Sequence, residues 1–359
     1  MSFISTVLDP PSYGWISQDG FLIKPSNRQI FIEFFRRLNV FKSRKNWLSF
    51  FCWSCIVCLL PVFITFIVLQ VQNFSLWLLA AAFLYGMVVM GTHGTIWYHR
   101  YCTHNAYTFT NKFWRFVTSH LVIKLIPEEI YVVSHHVHHA MSDKPGDPYN
   151  AEGGFLYCFL ADVNHQPIAK NLSPADYKKV TEMLAHTGSN VHSYRHYLKW
   201  GSACSPLKTV FGVLLNWAFW FFIFFLIGGA YLAVAVFAGA FVWGLGVRTF
   251  NYEGHAKGGK RHVNGNDFNR NDKSINQLWP GIVAGEWHNN HHLYPRSARS
   301  GFLPYQIDLA WCYIKTLKFI GAVKSYRDDK QNFIKKYKIP YQVQLKEART
   351  QKQSDANFN

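Results

Sequence analysis

The sequence predicts an all-α integral membrane protein, with four transmembrane helices in two hairpins and a helical cytoplasmic cap. Three observations predict it. No Lys, Arg, Asp or Glu occurs from Asn46 to Tyr98 or from Thr209 to Val247. A bilayer core takes about 20 apolar residues per helix, so each run holds two spans. The turns inside both runs are short and uncharged, which puts all 37 Lys and Arg and all 20 Asp and Glu on the face that carries both termini. By the positive-inside rule that face is the cytoplasm. Finally, the 17 histidines include four clusters, each in a polar segment or at a membrane boundary.

The elements follow in order. Residues 1–45 form a cytoplasmic segment that does not read as a cleaved leader, and Arg36, Arg37, Lys42, Arg44 and Lys45 anchor the entry into the membrane. The first hairpin, 46–98, has spans near Trp47 to Gln70 and Ser75 to Trp97, turning over Gln70-Val-Gln-Asn73. A cytoplasmic segment, 99–206, carries two histidine clusters. The second hairpin, 207–250, has spans near Leu207 to Leu226 and Tyr231 to Phe250, turning at Gly228-Gly229. A second cytoplasmic segment, 251–345, carries the remaining clusters, and the polar tail 346–359 is expected to be disordered.

Composition narrows the partners. The chain is 49% hydrophobic and 16% charged, which excludes disorder for most of its 359 residues. Its net charge of +17, gathered on one membrane face, would attract anionic headgroups, an acidic redox partner or a phosphate-bearing substrate. The basic residues are scattered and the chain is anchored, so no nucleic-acid partner is expected. Cys52, Cys55 and Cys58 have metal-like spacing but sit within the first span, where cysteine packs as a small apolar residue.

The histidine clusters read "HRYCTH" at His99 to His104, "HHVHH" at His135 to His139, "NYEGH" ending at His255, and "HNNHH" at His288 to His292. His135, His138 and His139 have the i, i+3, i+4 spacing that puts three imidazoles on one helical face, and His288, His291 and His292 repeat it. If the fourth span continues past the membrane, Asn251 and His255 share a face as well. Nine histidines can thus converge on one cytoplasmic pocket, enough for two metal ions. No thiolate accompanies them apart from Cys102, so structural zinc is disfavoured. All-imidazole sites suit iron, copper, zinc or nickel, and iron with open positions suits oxygen activation.

These motifs resemble the integral-membrane fatty acid desaturases, and within them the delta-9, stearoyl-CoA-desaturase-like branch. The likeness covers roughly residues 46 to 315. "HRYCTH" is similar to that branch's first box, H-x-x-x-x-H with Arg after the first histidine. "HHVHHAMSDKPGDPYN" is similar to its second box and the acidic stretch that ends in Asp147-Pro148. Asn251 with His255 resembles its N-x-x-x-H, and "HNNHH" its third box. One departure is that Gly285-Glu286-Trp287 is a residue shorter than the G-E-G-aromatic of many relatives, while the ligand spacing is unaffected.

The resemblance implies a diiron centre held by His99, His104, His135, His138, His139, His255, His288, His291 and His292, with Asn251 reaching one iron through a water. It implies an oxygen-dependent acyl desaturase that introduces a cis double bond, at delta-9, into a saturated acyl chain. No catalytic side chain apart from the metal ligands is implied. Two electrons would come from outside. With no ferredoxin-like cysteine pattern and no G-x-G-x-x-G flavin site, the donor is a separate ferredoxin or cytochrome-b-type protein with its reductase. Lys257, Lys260, Arg261 and Lys273 offer it a landing surface.

Around the ligands, Asp143, Asp147 and Asp272 are expected to be solvated carboxylates, while Glu253 and Glu286 stand evenly between that and support of the ligands. The acyl carrier, whether CoA, a carrier protein or a glycerolipid, stays open. The other eight histidines, His93, His120, His136, His165, His186, His192, His196 and His262, have no ligand counterpart. His136 is aimed off the shared face, and His93 is expected to hydrogen-bond between helices. Trp97, Trp243 and Trp287 are assigned to the interfacial belt rather than to a substrate tunnel. Two rivals remain: a diiron membrane hydroxylase of acyl chains or alkanes, whose boxes generally differ in spacing, and a membrane metal-handling protein, whose ligands would sit near mid-bilayer.

Overall fold

A computed structural model describes residues 2–165, 167–255, 287–304 and 306–356. His262, Asp272, Glu286 and the basic group Lys257, Lys260, Arg261 and Lys273 lie outside the described residues. Among the described residues, three helices are long and apolar enough to cross a membrane: Arg44–Gln72, Leu76–Thr103 and Pro206–Gly254. The first two join at a tight turn in which the Gln70 side chain accepts from Ser75 N at 3.0 Å and the Ser75 hydroxyl caps the next helix through Leu78 N.

The second of these helices runs six residues beyond Trp97, the end expected for it. Two stretches, Leu84–Met90 and Thr95–Thr103, are wound as π-helix, so the apolar helix carries the first histidine box on its last turns. Trp97 is consequently not at an interfacial belt. It is 1% exposed, and its indole donates to Glu128 Oε1 at 3.0 Å.

The third apolar stretch is not straight. Gly228 and Gly229 leave helical geometry, Gly229 with φ +70, a conformation that side chains with a Cβ rarely adopt. Phe221 and Phe237 then meet edge to face with centroids at 5.9 Å, whereas a continuous helix would hold them about 24 Å apart. The chain folds back on itself there. Its returning half crosses the Leu76–Thr103 helix at glycines: a Cβ on Gly86 would lie 2.4 Å from Gly239 O, and one on Gly239 would lie 2.2 Å from Ala82 O. Small residues are what permit backbones this close.

Polar segments build a cap over one end of these helices. A two-stranded antiparallel sheet pairs Tyr107–Phe109 with Val323–Tyr326, joining the segment after the first box to the C-terminal region. The helix Glu128–Met141 carries the second box, with Glu128 and Glu129 in its first turn where the helix dipole favours carboxylates. Buried Glu129 accepts from Ser202 Oγ, Ala203 N and Cys204 N at 2.7–3.0 Å and so ties this helix to the entry of the third apolar stretch. Cys52 and Cys55 pack in the apolar interior as expected. The tail, expected to be disordered, is instead helical from Ile339 to Ala356, because Gln, Leu, Lys, Glu, Ala and Arg are strong helix formers even on an exposed segment.

Substituting Gly239→Ala should force the two backbones apart and cost about 1–3 kcal/mol, since a close-packed contact has no room for a methyl. A lowered thermal unfolding midpoint in detergent checks this, and an unchanged midpoint would mean the contact bears no load.

Candidate metal centre

The first box spaces its histidines five apart, which on an α-helix leaves them roughly 140° apart. The π-helical winding of Thr95–Thr103 removes that difficulty. Its i→i+5 pitch brings His104 N to His99 O at 3.2 Å and the two rings to 5.1 Å. Nothing in the expected α-helical periodicity signalled this.

The second and third boxes behave alike. In each, the i, i+4 pair stays together while the i+3 histidine turns to the opposite partner. His135 and His139 join His99, His104 and His291 in one group, and His138 joins His255, His288 and His292 in the other. Within each group the ligand-capable atoms all lie within 4.8 Å of one another. Nε2 atoms face each other at 3.1 Å for His139 and His135, 3.0 Å for His291 and His139, 2.8 Å for His288 and His255, and 3.1 Å for His292 and His288. The groups abut, with His139 and His292 stacked at 4.5 Å. All nine expected histidines are thus brought together, and none of the other described histidines joins either group. His93 instead bonds across helices to the Thr118 carbonyl at 2.8 Å.

The surroundings set the chemistry. Burial, reinforced by neighbouring imidazoles, holds His104, His135 and His291 well below the usual histidine pKa, so these rings are neutral at physiological pH. The expectation that both Asp143 and Asp147 are solvated is overturned for Asp147, while Asp143 stays partly exposed and still takes a histidine partner. Asp147 is 0% exposed and accepts from His138 Nδ1–H at 2.9 Å, and Asp143 accepts from His255 Nδ1–H at 2.8 Å. Each carboxylate fixes the tautomer that leaves Nε2 with its lone pair facing the group. Asp147 also accepts from the amides of Tyr149 and Asp143, and Asp143 adopts φ +60, an uncommon conformation for a residue other than glycine.

A second residue gained importance from the fold. Arg100, noted only as the box's second letter, is 0% exposed and pairs with Asp308 at 3.0 Å, while also donating to the Ala298 carbonyl and to Ser300 Oγ. Asp308 in turn accepts from the amides of Ser300, Gly301 and Trp311. This cluster clamps the segment that follows the third box against the helix bearing the first.

The donor set fits metal. Five and four buried or nearly buried imidazoles converge without a thiolate, and His104 Nε2 is buried in this convergence with no hydrogen-bond partner. Asn251 lies one helical turn before His255, whose amide it accepts at 3.1 Å. Next to the first group an apolar cavity is walled by Met87, Gly91, Gly94, Thr95, His99, Tyr131, Trp243 and Phe250. Trp243 therefore faces the cavity rather than the belt, while the Trp287 indole donates to the Ile307 carbonyl. A second cavity is walled by Tyr149, Asp162, Arg248 and Asn251, and the two share Ile126, Tyr131 and Val247.

The described residues thus define a helical protein with histidine clusters that could hold metal, at the ends of helices long and apolar enough to cross a membrane. The sequence model of the fatty acid desaturase family matches residues 74–311, and the chain belongs to that family. It is similar to the sn-1 stearoyl-lipid 9-desaturase of Anabaena variabilis, at 25% identity over 72% of this chain and 88% of the relative. A Synechocystis enzyme of the same name is 26% identical over 71% of this chain and 74% of its own. The icosanoyl-CoA 5-desaturase of Limnanthes douglasii is 27% identical over 65% of this chain and 60% of the relative. The chain is an acyl desaturase, an oxidoreductase.

Replacing Asp147 by Ala should weaken divalent metal binding by about 10–100-fold, the usual effect of removing a carboxylate behind a histidine ligand. Metal titration of the purified protein checks it, with circular dichroism to verify that the helices persist.

Proposed function

We propose that the chain is an oxygen-dependent fatty acyl desaturase that introduces a cis double bond at delta-9 of a saturated chain, with a diiron centre. The observation that carries this reading is the junction of two imidazole groups with an apolar cavity at His99. One iron would be held by His99, His104, His135, His139 and His291 and the other by His138, His255, His288 and His292, with Asn251 as a further candidate ligand through a water. Four membrane spans in two hairpins, with both termini and the segments 99–206 and 251–345 on the cytoplasmic face, fit the fold-back at Gly228-Gly229. The names of the relatives include both lipid-linked and CoA-linked substrates, which supports a fatty acyl substrate with either carrier.

When bound, the two irons supply oxygen activation and the removal of two hydrogens from adjacent methylenes, with two electrons delivered by a separate ferredoxin or cytochrome-b-type donor. The chain's own residues prepare the site. Neutral imidazoles ligate without cancelling the metals' charge, and Asp143 and Asp147 hold His255 and His138 in the ligating tautomer. The cavity wall of Met87, Gly91, Gly94 and Trp243 excludes water and lets an acyl chain lie beside His99. Met87 lies twelve residues before His99 on the same helix, about three turns deeper, and so closes the methyl end.

Membranes of a host expressing the wild type should gain a monounsaturated acid that is absent with His138→Ala, as read by fatty-acid profiling with double-bond location by mass spectrometry. A hydroxy acid in its place would overturn desaturation. Met87→Ala should move the preference toward longer acyl chains without changing the distance from carbonyl to double bond. Tags at either terminus should be accessible from the same membrane face, and a tag at Gly228 from the other.

A further inference from the structure

We infer that Arg248, buttressed by Asp162, is a positioning residue that binds the carbonyl of the acyl ester or thioester and sets the register of the chain at the metal centre. This rests on the acyl-desaturase reading above. Arg248 sits near the end of an apolar helix, three residues before Asn251, where a charged side chain is costly unless it serves a site. Its side chain is 8% exposed, pairs with Asp162 at 2.5 Å and lies over the Trp53 ring at 4.5 Å.

Those contacts hold the guanidinium in place but do not exhaust it. Arg248 Nε and Asp162 Oδ1 are both buried with no hydrogen-bond partner, although a buried guanidinium ordinarily uses its donors. Both residues wall the second cavity, which shares Ile126, Tyr131 and Val247 with the apolar one. A chain laid through both would have its methyl end at Met87, its middle at His99 and its polar end at Arg248. The unpartnered Arg248 Nε–H at that end calls for a hydrogen-bond acceptor, which an ester-type carbonyl provides. Thioesters and glycerolipid esters both provide one.

The test uses the full-length, iron-loaded protein with an electron donor. Stearoyl-CoA, a stearoyl glycerolipid and the alkyl-ether analogue of each are compared in wild type, Arg248→Met, Arg248→Lys and the double variant Arg248→Met with Asp162→Leu. The double variant leaves no stranded carboxylate, and exchange of a buried ion pair for apolar residues is often tolerated. Loss of one charge-assisted hydrogen bond should raise KM about tenfold for the carbonyl substrate, in both Met variants, with kcat little changed. Double-bond positions should scatter, and Lys should restore them in part. The ether analogues should bind wild type and Arg248→Met equally.

Whichever carrier shows the loss is the one Arg248 reads. Unchanged KM and a single bond position in all variants would overturn the assignment, as would ethers that wild type binds as tightly as esters. Binding of a fluorescent stearoyl ester without the electron donor separates this from the function itself. Binding that Arg248→Met weakens, with no alkene ever formed, would leave Arg248 standing and sink the desaturase reading.

Discussion

Nine imidazoles pressed together away from water constrain everything else in this structure. Desolvation favours the neutral forms of His104, His135 and His291, and rings whose Nε2 atoms face one another at 2.8–3.1 Å can direct their lone pairs at a common partner. Metal is the partner that suits such a donor set. The helices, the turns and the outer carboxylates can all be read as devices that hold these rings in position.

Two devices are local. The π-helical winding at Thr95–Thr103 makes a five-residue spacing serve one group, and the α-helical boxes divide i+4 from i+3 between two groups. Two others act at a distance. Asp143 and Asp147 orient His255 and His138, joining the second box to the end of the last apolar helix. The Arg100–Asp308 cluster closes the third box against the first across some two hundred residues of sequence. Buried ion pairs of this kind add little net stability, but a stranded partner is costly, so they specify one arrangement.

The apolar half of the molecule answers a different need. Gly86 and Gly239 bring two backbones into contact, and the cavity opens beside that contact, walled by further glycines at Gly91 and Gly94. Close packing on one side and missing side chains on the other leave room for a slender hydrocarbon and little else. The buried charges of Arg248 and Asp162 lie where this room meets the polar cap.

Much of this was legible in the chain itself. Long charge-free runs dictate helices, because an unpaired backbone cannot cross lipid, and Gly228-Gly229 marks a reversal because φ +70 suits glycine. Histidine spacing put six of the nine clustered rings on shared faces, since i, i+3 and i+4 are geometric facts of an α-helix, while His99, His104 and His255 were implied by the family resemblance. What sequence could not supply depends on contacts between distant segments. The partition of rings into two groups, the burial of Asp147, the pairing of Asp143 with His255, the inward turn of Trp97 and Trp243, and the clamp on Arg100 arise only when the helices pack. Local periodicity says which face a residue shares, whereas burial and pairing are decided by what that face meets.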